Sequence, residues 1–127
     1  MFLIEEYDKR FYLSTSTITN AGTGVFASEA IEKGDRLPIV GVRFSRNSVI
    51  ATCTDYSKYY RFLIGENDFI MPMGLGGMIN HSDERQNVQI THVQGYDLQM
   101  LFLRRVMPGE EILTSYGDAA EWIINHD

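Results

Sequence analysis

Three short stretches carry the residue types that could hold a polar ligand or direct a proton. In Gly22-Thr23-Gly24 two glycines flank a hydroxyl and lead into Val25-Phe26-Ala27. Glycines let a backbone adopt positive φ and approach a ligand closely. The stretch is too short for the dinucleotide fingerprint, and Val25 to Ala27 continues as strand rather than helix. Taken alone it is a hairpin turn. The second stretch is Asn80-His81-Ser82, with Asn87 shortly after it. Asparagine offers both donor and acceptor, and a histidine can fix its ring with one nitrogen while leaving the other free. Such a group could hold a polar cofactor; taken alone it is a turn or a helix cap. As a metal site it is poor, because His92 and His126 show no ligand spacing and no Cys or carboxylate cluster joins them. The third runs Pro108-Gly109-Glu110-Glu111-Ile112-Leu113-Thr114-Ser115-Tyr116-Gly117. A phenol at the end of a short apolar strand could orient a substrate by hydrogen bonding or act as a weak base. Taken alone, Tyr116 is a core aromatic with a satisfied hydroxyl.

The elements that must position these residues are short. Glycines and prolines interrupt the chain at close intervals, which predicts many short strands. Residues 10–19 (RFYLSTSTIT) are rich in β-branched and aromatic residues and predict a strand. A turn over 20–24 leads to a strand over 25–27, and Glu32-Lys33-Gly34-Asp35 is a turn before a strand from Arg36 to about Phe44. Residues 45–65 predict loop and short helical structure around Tyr56, Tyr59, Tyr60 and Phe62. A strand is expected over 68–71 and one helical turn over 75–79. Residues 87–93 and 98–106 predict a hairpin turning near Gly95, and 111–114 a last short strand. Asp118 is a cap for a terminal helix carrying Glu121, Trp122 and Ile123, since its carboxylate can accept from unpaired backbone N–H groups. The expected class is mainly β.

The chain has 127 residues, the size of one domain and one hydrophobic core. With 44% apolar and 22% charged residues it has the balance of a soluble globular protein. No apolar run is long enough to cross a membrane. The start, MFLIEEYDKR, is acidic where a secretory signal needs a basic region, so a cytoplasmic or nuclear protein is expected, not a secreted one. The single cysteine, Cys53, excludes an intrachain disulfide and an all-cysteine zinc site. A net charge of −6 argues against a nucleic-acid partner, which wants a basic surface. It suits a basic partner better; plain solubility is the alternative.

The order of the stretches is more specific than any one of them. GTGVFA (22–27), EKGD (32–35), INHS…N (79–87) and GEEILTSYG (109–117) together resemble the pattern of SET domains, over nearly the whole chain from about residue 12. The compactness is most similar to the small viral SET proteins, which lack cysteine-rich flanking modules. The resemblance implies a fold of several small β-sheets and short helices over residues 1–127, with a pseudoknot-like threading of the C-terminal segment under a preceding loop. It implies a protein-lysine N-methyltransferase that uses S-adenosylmethionine, binding it with Gly22, Thr23, Gly24, Asn80, the His81 backbone and Trp122, the last against the adenine. Trp122 as the core-facing anchor of the last helix is the alternative. Tyr116 is implied as the catalytic residue that orients the lysine amine. One tyrosine of Tyr56, Tyr59 and Tyr60, with Tyr60 taken first, is implied to line the lysine channel.

The chain departs from the family pattern at several places. Asp83-Glu84-Arg85-Gln86-Asn87 is one residue longer than the usual segment after Asn-His-Ser and has no proline. Thr114 stands where Phe or Tyr is frequent, Ser115 where Asp is, and Gly76-Gly77 where a large basic residue is. The substrate expected by analogy is a basic protein tail, a histone first and a non-histone protein second. It would lie in an open groove, as an added strand at a sheet edge, near acidic residues such as Asp83, Glu84, Glu110 or Glu111. A homodimer is a further expectation from the compact viral relatives. Two competing readings are a catalytically inactive SET-like peptide-binding module and a small β-rich assembly protein.

Overall fold

A computed structural model of the chain describes residues 8–55, 58, 61–64, 66–93 and 97–115. Its strands are β1 (Phe11–Thr15), β2 (Thr23–Ala27), β3 (Arg36–Pro38), β4 (Gly41–Ser45), β5 (Phe62–Ile64), β6 (Asp68–Pro72), β7 (Asn80–His81), β8 (Val88–Val93), β9 (Asp97–Phe102) and β10 (Glu111–Thr114). Single 3-10 turns occupy Val49–Ala51 and Leu75–Gly77. The mainly β expectation holds. One sheet runs β1-β2-β10-β8-β9-β3, with β7 also paired to β10, and a smaller sheet runs β4-β6-β5.

Apolar side chains knit the two sheets. Alternate residues of a strand share a face, and Leu98, Met100 and Phe102 of β9 all point into the core. They pack with Val25, Val88 and Ile112 of the large sheet, and with Phe62 and Ile70 of the small one. A second small cluster joins Phe44, Ala51 and Phe69. β2 and β10 are central strands, which is why Gly24 to Ala27 and Glu111 to Thr114 are buried throughout.

Two expected strands are corrected. The stretch from Arg36 to Phe44 is not one strand. β3 pairs with β9 in the large sheet, and β4 pairs with β6 in the small one. The chain changes sheets at two adjacent residues: the Ile39 N–H donates to the Leu98 carbonyl, and the Val40 carbonyl accepts from Met73. Pro38, which has no N–H, ends the first strand. The strand expected over 10–19 stops at Thr15, because Ser16 and Thr17 turn their polar groups onto the Glu111 carboxylate. The 88–93 and 97–102 hairpin is antiparallel, with Ile90 opposite Met100.

β10 is where the fold closes. Successive residues of a strand aim their backbone groups at opposite edges. Ser82 N–H donates to the Thr114 carbonyl at 2.9 Å, and Asn87 N–H donates to the carbonyl of the adjacent Leu113 at 2.9 Å. β7 and β8 therefore lie on opposite edges of β10, and both run parallel to it. The intervening 82–87 segment therefore crosses one face of β10 and joins its two edges. The threading that the family resemblance implies for the C-terminal segment falls on residues 116–127, outside the described residues.

Candidate functional site

Folding brings the first two chemical stretches to one place. The Asn80 Nδ2 donates to the Thr23 carbonyl at 3.0 Å, across 57 positions of sequence. Gly22 adopts φ 73, with no atom within 4 Å of where a side chain would begin. Gly22 and Thr23 are exposed, Gly24 is buried, and Asn80 and His81 are half-buried. β10 supplies the third stretch. Leu113 stands opposite Asn80, and Thr114 opposite His81. Beyond β10 the Ser115 hydroxyl bonds the Asp83 carboxylate, and Asp83 lies 3.6 Å from the His81 Nε2. Tyr116, Tyr60 and Trp122, named from the sequence for the amine, the channel and the adenine, lie outside the described residues, as do Tyr56 and Tyr59.

Beneath this cluster sits a residue that sequence reasoning misplaced. Glu111, expected among the acidic residues facing a basic tail, is instead 4% exposed. Its carboxylate accepts from the Ser16 hydroxyl at 2.7 Å, the Thr17 N–H at 2.8 Å, the Thr17 hydroxyl at 2.5 Å and the Asn80 Nδ2 at 3.4 Å. Burial alone pushes this carboxyl up, but the donors from Thr17, Ser16 and Asn80 outweigh it and hold it below the usual glutamate value. The charge is therefore retained inside the fold. The Gly24 backbone approaches so closely that a Cβ there would overlap the Glu111 carboxylate. The available signal was a carboxylate heading an apolar strand, together with the hydroxyl-rich 14–19 segment able to satisfy it.

Asn87 is held differently from Asn80 and His81. It is 1% exposed and works along the other edge of β10, where its Nδ2 donates to the Glu111 carbonyl and its Oδ1 accepts from the Leu113 N–H, each at 2.8 Å. Glu110 pairs with Arg104 at 3.0 Å, while Asp83 and Glu84 remain exposed. Among the described residues no group of three or more His, Cys, Asp or Glu is placed to hold a metal ion. No described helix is long and apolar enough to cross a membrane.

The residues present fit a polar, cation-bearing cofactor. Asn80 keeps an acceptor oxygen that no described residue occupies, and the open glycine turn lies beside it. Several solved structures share this fold. A chain of ctPRC2 in an autoinhibited conformation bound to S-adenosylmethionine superimposes with TM-score 0.76 at 21% identity, covering 94% of this chain and 16% of that one. A chain of Polycomb Repressive Complex 2 from Chaetomium thermophilum gives TM-score 0.76 at 20% identity, covering 91% and 17%. This protein thus spans about a sixth of those chains. The methyltransferase domain of human PR domain-containing protein 2 gives TM-score 0.68 at 21% identity, covering 85% and 77%. No curated protein is significantly similar in sequence. The SET domain family model matches residues 22–117, the span that holds the glycine turn, the Asn80–His81 strand and β10; the chain belongs to the SET-domain family.

Proposed function

We propose that this protein is an S-adenosylmethionine-dependent protein-lysine N-methyltransferase. The observation that carries the reading is the meeting of Gly22–Gly24 with Asn80 over a buried carboxylate, on the strand that leads directly to Tyr116. Family membership supports it, and so does S-adenosylmethionine bound in a structural neighbour.

The cofactor is held in this reading by the Gly22-Thr23-Gly24 backbone, the Asn80 side chain, the His81 backbone and the Trp122 ring. When bound, it supplies a methyl group on a positively charged sulfur. The protein's own part is to deliver a neutral amine in line. A free lysine amine has a pKa near ~10.4 and is protonated at neutral pH. A narrow channel lined by Tyr60 removes water and so disfavours the charged form. The Tyr116 hydroxyl accepts a hydrogen bond from the amine and fixes its direction. Alignment of this kind supplies much of the rate without a strong base.

The substrate in this reading is a lysine in a basic protein tail, a histone first, in the nucleus or cytoplasm. Exposed Asp83 and Glu84 favour a positively charged segment there. Radiolabelled methyl transfer to histones and to a lysate, with mass mapping of the labelled residue, tests activity and target together. Tyr116→Phe is expected to lose most of the transfer and keep the fold; a near-normal rate in that variant would defeat the reading.

A further inference from the structure

We propose that Glu111 is a positioning residue that sets the electrical polarity of the Gly22–Gly24 and Asn80 site, acting through Asn80, so that the site favours ligands carrying positive charge. The inference rests on the cofactor reading above and deepens it. Asn80 Nδ2 faces two groups that can only accept: the Thr23 carbonyl at 3.0 Å and the Glu111 Oε2 at 3.4 Å. A flipped amide would put Oδ1 against both, so the pair fixes the amide with its oxygen turned away from them. That oxygen accepts from no described residue, which makes it an acceptor offered to a ligand.

The second element is the charge. Ser16, Thr17 and Asn80 satisfy the carboxylate with neutral donors only, and no described Lys or Arg pairs with it. Neutral donors stabilise an anion without cancelling it, so one negative charge remains. It is buried, so salt screens it weakly. It lies directly under the Gly24 backbone, where a Cβ would overlap it. Glu111 thus acts from behind the turn and the asparagine, without needing to touch a ligand.

Titration calorimetry with three ligands that differ in charge provides the test. At neutral pH S-adenosylmethionine carries a sulfonium, an ammonium and a carboxylate and is net positive, S-adenosylhomocysteine carries an ammonium and a carboxylate and has no net charge, and 5′-methylthioadenosine is uncharged. Coulombic attraction predicts that Glu111→Gln weakens S-adenosylmethionine by about tenfold and the other two, which have no net charge, by less than about threefold. Equal losses for all three, as a merely structural role would give, or no loss at all, overturn the proposal while leaving the cofactor reading intact. If wild-type protein binds none of the three, the cofactor reading falls and takes this inference with it. Should Glu111→Gln not fold, the wild-type affinities decide: S-adenosylmethionine binding at least about tenfold more tightly than S-adenosylhomocysteine supports the proposal, and equal or weaker binding rejects it.

Discussion

Asn87 grips Leu113 twice: its backbone N–H donates to the Leu113 carbonyl at 2.9 Å, and its Oδ1 accepts from the Leu113 N–H at 2.8 Å. With Nδ2 donating to the Glu111 carbonyl, the side-chain amide imitates a stretch of strand along β10. Asn87→Ala would leave two buried backbone groups without partners, at about 1–3 kcal/mol each. We expect a loss of about 2–4 kcal/mol in urea unfolding. A loss under about 1 kcal/mol would show that water or a neighbouring strand replaces the amide.

The two glycines of the turn are sensitive for different reasons. Gly22 is at φ 73 in open space, so the restriction there is conformational. Asparagine visits that region more readily than branched residues, so Gly22→Asn should stay within about 1 kcal/mol of wild type while Gly22→Val costs about 1–2 kcal/mol. Gly24 is limited by contact with Glu111, and Gly24→Ala should cost about 1–3 kcal/mol as an overpacked site. Thermal melts of the three variants separate the two causes. A Gly24→Ala cost no larger than that of Gly22→Asn would contradict the assignment.

Glu111 also fixes the direction of acid sensitivity. Its carboxyl is held below the usual value in the folded protein, whereas an unfolded glutamate titrates near about 4.3. The stabilisation is therefore fully present above that pH and is lost as pH falls below it, through the folded value. Asp8, lowered mainly by its hydrogen bond to Arg10, acts in the same direction more weakly, because that pair is near solvent. Unfolding free energy measured from about pH 7 to about pH 3 should fall less steeply in Glu111→Gln than in wild type below about pH 4.3. Parallel curves would remove Glu111 as the source.

Arg61 ties the small sheet to the loop before it. Only 3% exposed, it donates through Nη1 to the Ala51 carbonyl at 2.6 Å and stacks its guanidinium 4.2 Å from the Phe69 ring centroid. A hydrogen bond from a charged donor contributes about 1.5–3 kcal/mol, and a desolvated cation–aromatic contact about 2 kcal/mol. Arg61→Ala is expected to lose about 3–5 kcal/mol in denaturant unfolding. Arg61→Lys should recover only part of that, because an ammonium lacks the planar stacking face. Full recovery by lysine would mean that charge alone matters here.

Much of this was legible in residue order. The turns at Gly22, Gly34 and Gly109, the last strand over 111–114 and the hairpin between 88 and 102 follow from glycine placement and from alternation of apolar residues. Local chemistry decides such features. The order of the motifs points to the family unaided, since four weak patterns in one sequence are jointly specific. The break between β3 and β4 was not legible, because Ile39 and Val40 both suit a strand and only their partners, Leu98 and Met73, assign them to different sheets.

The site divides in the same way. By itself the sequence singled out Gly22–Gly24, Asn80 and the last strand, which the fold brings together, because those choices depend on residue type and short-range geometry. Only the tertiary structure decided what the remaining polar groups do. Glu110 and Glu111 are neighbours of equal chemistry, yet one pairs with Arg104 in solvent and the other is enclosed by Ser16, Thr17 and Asn80. Asn80 and Asn87 flank the same strand, yet one keeps an oxygen that no described residue occupies while the other is enclosed against β10. Such differences arise from contacts between residues far apart in the chain, and a buried polar group takes its role from the partners that replace its water.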